Sequence, residues 1–243
     1  MPANDNEPWS RLIDKLDRLA TLSIEDREIL SAIPYSAETV TAGHLLVSEG
    51  STISRCCLLI DGFACRYKLS AEGKRQIVSF HIPGEILDIQ HLLLDRADHN
   101  VETITPAKIA WVSTEDLKAL AFRREDIGQA LWRDVLIDAS IFREWVLNVG
   151  QRDAKTRIAH MLCEFAARLI RSGGATERDC RLPLSQQQIA DATGLTAVHV
   201  NRMLRSLRED GALAVSSREV RIADYDALRA IASFDPSYLH AAA

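Results

Sequence analysis

Asn201, Arg202 and Arg205 stand close enough in the chain to share the open side of one helix, and their side chains are suited to reading DNA. An arginine fork donates two hydrogen bonds to O6 and N7 of guanine, and an asparagine amide bridges N6 and N7 of adenine. Val198, about one helical turn earlier, has no polar atom; it cannot accept a hydrogen bond from cytosine but can pack on a thymine methyl. His199 lies between them. Upstream, Ser185, Gln186 and Thr196 stand at two helix starts, where hydroxyls, amides and backbone N–H groups can contact phosphate. Ser185, Gln186, Thr196, Val198, His199, Asn201, Arg202 and Arg205 are therefore the candidate DNA-binding residues, with Arg202 placed to read a base.

Those side chains need two helices held at a fixed angle, and residues 184–211 supply them. Ser185 followed by Gln188 has the spacing of a capping box. Ile189, Ala190 and Ala192 give the first helix an apolar side, and Gly194 permits the positive φ of a sharp corner. Thr196 caps the second helix, in which Val200, Met203, Leu204 and Leu207 recur at helical spacing and face inward. Asp210-Gly211 ends it with a glycine cap. Residues 212–215 and 219–222 then read as two strands about a Ser216-Ser217 turn. A helix-turn-helix followed at once by a β-hairpin is a winged helix.

The chain has 243 residues, 47% hydrophobic and 26% charged, the composition of an ordinary globular protein. Its formal net charge of -5 conceals an uneven distribution: residues 151–208 hold nine Arg and one Lys against five acidic side chains. One basic domain within an acidic chain is compatible with phosphate contact. No apolar run is long enough for a membrane span. The polar, acidic beginning MPANDNEPWS is unlike a secretion signal, so the expected location is cytoplasmic. Cysteines 56, 57, 65, 163 and 180 form no Cys-x-x-Cys pair, which fits reduced thiols; Cys163, within an apolar helical pattern, reads as core.

The expected fold class is α+β: an N-terminal antiparallel β-roll (jelly roll), a long dimerisation helix and a C-terminal winged helix-turn-helix. Residues 9–19 form an amphipathic helix through Leu12, Ile13, Leu16 and Leu19, and Ser23 with Asp26 opens another. From about residue 40 to 112, glycines 50, 62, 73 and 84 punctuate short apolar strands, the spacing of a roll. Residues 126–150 are one long helix. Leu131, Val135, Phe142 and Val149 form one of its stripes, and Leu136, Ile137, Ile141, Trp145, Val146 and Leu147 a second. Two stripes imply two partners, the roll on one side and a second copy on the other, with Phe142 a candidate for the seam. The expected domains are a sensor at 1–125, a dimerisation helix at 126–150 and a DNA-binding domain at 151–243.

In this order the elements resemble the Crp/Fnr family of bacterial transcription regulators. The resemblance covers essentially the whole chain and is carried most strongly by GLTAVHVNRMLRSLREDG and by Phe80-His81-Ile82-Pro83-Gly84-Glu85. It implies a roll that senses a small signal, a parallel homodimer, double-stranded DNA with a palindromic operator as partner, and RNA polymerase as a further partner. Arg202 matches the family's guanine-contacting arginine, while Ser185 and Thr196 match its phosphate-contacting caps. Val198 stands where many members have a base-reading glutamate, and Asn201 where they have Ser or Gly, so the best-known operators do not transfer.

The roll departs further. Cyclic-AMP binders carry a Gly-Glu pair and an Arg-Ser pair where this chain has Asp88-Ile89 and Ala97-Asp98, with Arg96 one residue away. Carboxylates there are poor anion ligands, so no cyclic-AMP binding is expected. With no cysteine before Cys56, the iron–sulfur cluster of the oxygen-sensing members is not expected either. The effector-pocket candidates are Asp88, Gln90, His91, His99 and Asn100, for an unidentified small-molecule or other signal. No metal or cofactor is assigned. A haem-sensing regulator, with His81, His91 or His99 as axial ligand, is the alternative. A cupin-like metal enzyme needs a His-x-His pair that the chain lacks, and no hydrolase, P-loop or zincin motif occurs, so an enzyme is not expected.

Overall fold

A computed structural model describes residues 8–214 and 219–240; the tip of the expected wing, Val215, Ser216 and Ser217 with Arg218, lies outside the described residues. These residues divide into two units, residues 8–66 with 81–139 and residues 67–80 with 140–240.

The first unit opens with α1 (Pro8–Leu19), whose Leu12 and Leu16 are fully buried, and α2 (Ile24–Ser31). Ser23 and Asp26 cap α2 reciprocally, as their spacing predicts. Seven strands follow: β1 (Tyr35–Val40), β2 (Leu45–Val47), β3 (Arg55–Asp61), β4 (Ala64–Leu69), β5 (Arg75–His81), β6 (Asn100–Thr103) and β7 (Ala107–Ser113). They form two antiparallel sheets, ordered β1-β7-β3 and β2-β6-β4-β5. Both faces of β3 are buried, so the two-residue period of a strand sorts its side chains between two cores. Cys56 and Leu58 join α1, α2 and Ala110 and Val112 of β7, whereas Cys57 and Leu59 join Val101, Ala107 and Ile109 inside the roll. Gly62, at φ +87°, makes the turn after β3; a Cβ there would meet the Pro106 carbonyl oxygen at 2.5 Å.

Two helices close the roll, α3 (Thr114–Arg123) and α4 (Glu125–Gln151), within two residues of the expected bounds of the long helix. The stripes of α4 are not those drawn from the sequence. Ile127, Ala130, Leu131, Ile141 and Trp145 are buried, while Trp132, Leu136, Val146 and Leu147 are exposed, with Leu136 at 65% and Val146 at 74%. The second expected stripe mixed the two sides. At 3.6 residues per turn, Ile141 and Trp145 continue the buried row, and Leu136, Val146 and Leu147 the open one. Phe142 is half-buried.

The second unit is built around α5 (Ala154–Arg171), whose Ile158, Leu162, Phe165 and Leu169 are buried and whose first N–H groups are capped by Asp153. Around it lie β8 (Cys180–Leu182), α6 (Gln186–Thr193), α7 (Ala197–Glu209), β9 (Leu213–Ala214), β10 (Val220–Ile222) and α8 (Tyr225–Ala232). β8 makes the wing sheet three-stranded, ordered β8-β10-β9, and α8 packs on α5; neither element was anticipated from the sequence. All five cysteines are buried, and burial pushes the Cys163 thiol up to about 12, as suits a core residue. No helix of the described residues is long and apolar enough to cross a membrane.

Candidate functional site

The helix-turn-helix is assembled by its caps. The Ser185 hydroxyl accepts from the Gln188 N–H at 3.1 Å and the Ser185 N–H donates to Gln188 Oε1 at 2.8 Å, which fixes the start of α6. Gly194 ends α6 at φ 66°, ψ 30°, and Thr196 Oγ1 accepts from the His199 N–H at 3.2 Å to start α7. Val200, Leu204 and Leu207 seal α7 against the unit.

That burial fixes which side of α7 is open. Seven of the eight candidate positions, all but the half-buried His199, are exposed. Val198 is 82% exposed, an apolar side chain left in water at the start of a helix. Asn201 Nδ2 donates to Gln186 Oε1 at 3.1 Å across the two helices, leaving the Asn201 carbonyl turned to solvent as an acceptor. Arg202 is exposed and makes no ion pair or hydrogen bond among the described residues. Arg205 differs: its Nε lies 3.1 Å from Glu209 Oε1, a solvent-screened pair worth little and easily exchanged for a phosphate. Arg202 and Asn201 thus present unused hydrogen-bonding capacity in the first two turns of α7, where a helix in the major groove meets base edges.

In the roll, the short helical turn at Ile89–Leu92 brings four of the five effector candidates together. Four of the five are buried: Asp88, His91, His99 and Asn100. Asp88 Oδ1 accepts from the Cys57 N–H at 2.9 Å, whereas Oδ2 has no hydrogen-bond partner among the described residues and lies 3.9 Å from His91 Nδ1. Burial pushes the Asp88 carboxyl up to about 7 and drives both imidazoles down, His99 to about 4. The two rings stack at 5.9 Å, and His99 Nε2 lies 3.1 Å from Gln90 Nε2. Asn100 turns elsewhere and accepts from the Glu49 N–H at 3.0 Å, holding a loop. Arg66, which sequence reasoning passed over, is buried beside them; it donates to Asp138 Oδ2 at 2.9 Å and to the Leu87 carbonyl at 2.8 Å. An arginine among apolar strand neighbours was the signal that could have found it. Arg96 donates to the Gly50 carbonyl, at 3.5 Å on the surface. His81 is buried against Glu85, 3.0 Å from its carboxylate. Among the described residues no cluster of three or more His, Cys, Asp or Glu is arranged to hold a metal ion.

Comparison with known proteins agrees with both halves. A model described as a Crp-like helix-turn-helix domain matches residues 156–231, and one described as a cyclic nucleotide-binding domain matches residues 37–124. The nitrogen fixation regulation protein FixK of Rhizobium meliloti is 29% identical over 201 residues, covering 82% of this chain and 88% of that protein. The transcriptional activator protein FnrA of Stutzerimonas stutzeri is 24% identical, covering 87% of this chain and 86% of FnrA. Among solved structures, FixK2 from Bradyrhizobium japonicum superposes with a TM-score of 0.73 at 23% identity, over 82% of this chain and 98% of that one; this likeness is one of fold.

Proposed function

We infer how this chain works from one premise: it belongs to the Crp/Fnr family of DNA-binding transcriptional regulators, a family of regulators and not of enzymes. In this reading the protein is a parallel homodimer in the cytoplasm that places one α7 in the major groove of each half of a palindromic operator. Arg202 reads guanine, Asn201 takes a hydrogen bond from adenine, and Val198 packs on a thymine methyl. Ser185, Gln186, Thr196, His199 and Arg205 hold the phosphates and the register. The observation that carries it is the open side of α7, with an exposed valine and an arginine free to bond. Half-site centres then fall about 34 Å apart, one turn of the duplex. RNA polymerase is the proposed further partner, since relatives such as FnrA bear the name of activators.

The open row of α4, Trp132, Leu136, Val146 and Leu147, supports the dimer, because a monomer would leave it in water. The division of labour is then 1–125 for sensing, 126–150 for dimerisation and 151–243 for DNA. The signal acts at Asp88, Gln90, His91 and His99, and it is not cyclic AMP: Asp88 and the two imidazoles, held toward their neutral forms by burial, offer a phosphate no positive charge, and Arg66 is already engaged by Asp138 and the Leu87 carbonyl. Gel retardation on genomic fragments tests these points together. Wild type should sediment as a dimer and retard a subset of fragments equally with and without cyclic AMP. Leu136→Asp, which puts a charge in the seam, should sediment as a monomer and lose retardation. A monomeric wild type, or retardation that depends on cyclic AMP, would contradict the reading.

A further inference from the structure

We propose that Arg75 and Gln76, which lie on the β5 hairpin and outside the helix-turn-helix, are positioning residues for DNA recognition: they clamp the C-terminal end of α6 and so fix the angle at which α6 and α7 meet DNA. The proposal rests on the two-headed reading of a palindrome.

The end of a helix leaves its last carbonyls without intrahelical partners. At the end of α6 two such carbonyls are taken by side chains. Gln76 Nε2 donates to the Ala192 carbonyl at 3.2 Å and to its own neighbour, the Ile77 carbonyl, at 3.0 Å. Arg157, from α5, donates to the Thr193 carbonyl at 2.8 Å and to the Arg152 carbonyl at 2.9 Å. Beside them the Arg75 guanidinium pairs with Asp191 Oδ2 at 3.2 Å, in a site where the two side chains are only 24% and 14% exposed. The same guanidinium lies 4.7 Å over the Tyr67 ring, which holds it in place from the opposite strand of the hairpin.

The hairpin is itself anchored. Phe80 stacks on Phe165 at 5.4 Å and meets the edge of Trp145 at 5.9 Å, and its carbonyl accepts from Arg168 at 2.8 Å. Fixed at Phe80 and fastened again at residues 75 and 76, it cannot slide along α6 without breaking its hold at both places. The clamp grips the end of α6 away from Ser185. About 12 Å of helix separates it from the phosphate-facing cap, at 1.5 Å per residue, so it aims the DNA-binding face without covering it.

A looser α6–α7 pair costs little on one half-site, where a single head can adjust. It costs more on a palindrome, where the second head must find its groove from a fixed distance and effective concentration falls with added freedom. The test compares wild type, the double variant Arg75→Ala/Gln76→Ala, and the reversed pair Arg75→Asp/Asp191→Arg on a full palindrome and on a half-site duplex. Amide exchange at residues 190–195 is followed in the DNA-free proteins. The double variant should lose about tenfold on the palindrome and less than about twofold on the half-site, with faster exchange at 190–195; the reversed pair should recover most of the palindrome affinity. Tighter palindrome binding by the double variant, or equal loss on both duplexes, would overturn the clamp. If the wild type itself binds the palindrome no better than the half-site, the two-headed reading fails. Exchange alone then decides: faster exchange upholds the clamp and unchanged exchange overturns it.

Discussion

Arg202→Ala should weaken binding to the specific site by roughly thirtyfold or more while leaving the fold and the weak binding to unrelated DNA almost intact. A bidentate guanine contact is worth about 1–3 kcal/mol, and a dimer loses one in each half-site. The side chain makes no bond within the protein among the described residues, so its removal frees no internal partner and disturbs no packing. A phosphate contact at the same position makes a different forecast. Affinity would then fall about equally on every sequence, and the salt slope would drop by about one unit for each phosphate no longer neutralised. Titrating both proteins against a selected operator and a scrambled duplex at two salt concentrations separates the cases; equal losses on both duplexes would reject base reading.

Glu164→Ala should be the most destabilising single change in the DNA-binding unit, by about 3 kcal/mol. The Glu164 carboxylate is buried where α4, α5 and the turn at Pro236–Leu239 converge. Its Oε2 accepts from Trp145 Nε1 and from the Tyr238 hydroxyl, each at 3.0 Å, and its Oε1 lies 3.5 Å from Arg168. Alanine strands both donors in an apolar surround; glutamine keeps an acceptor and should cost far less. Burial pushes the Glu164 carboxyl up from 4.5 to about 7, against the pull of Arg168 and the two donors. A carboxyl raised on folding holds its proton more tightly in the native state. Its contribution to stability is therefore largest below about pH 4.5 and is lost as the pH rises through about 7. Glu164→Gln should remove that slope, so its melting temperature should fall less than that of wild type between pH 5 and 7. An alanine variant as stable as wild type would contradict the assignment.

Much of this is legible in the sequence, for reasons that are local. Ser185 with Gln188, Gly194 and Thr196 specify their own backbone geometry, so the helix-turn-helix and its open face can be read from neighbouring residues. The roll is visible because Gly62 and its fellows mark turns between short strands, of which β3 is apolar on both faces. Elements too short for a pattern are not visible. β8 is three residues long, and its alternation of Cys180, Arg181 and Leu182 is below what periodicity can resolve. α8 could have been found, since Asp224 caps it through the Ala227 N–H at 2.9 Å and Leu228 and Ala232 share its buried side.

What stays hidden depends on partners distant in sequence. The stripes of α4 are confused because about half of its residues are apolar, and only packing against α1, α3 and α5 reveals which row is already covered. The clamp at Arg75 and Gln76 lies 116 residues from the carbonyl it caps, and nothing in Lys74-Arg75-Gln76-Ile77 announces a helix end as its target. The burial of Asp88, His91 and His99 has no local signal either: a polar cluster inside a roll looks, from the chain, like a polar turn on its surface.

The position of α7 in the groove is tested most directly by changing one side chain and asking which base changes. Val198→Glu replaces an exposed apolar side chain with one that accepts a hydrogen bond from cytosine N4 and no longer favours a thymine methyl. Wild type and variant are each used to select bound duplexes from a randomised pool. The two sets of sites should share their spacing and symmetry and differ at a single base-pair position, or at two adjacent ones, in each half-site. Identical selected sequences, or differences scattered without symmetry, would contradict a recognition helix that reads DNA through this face.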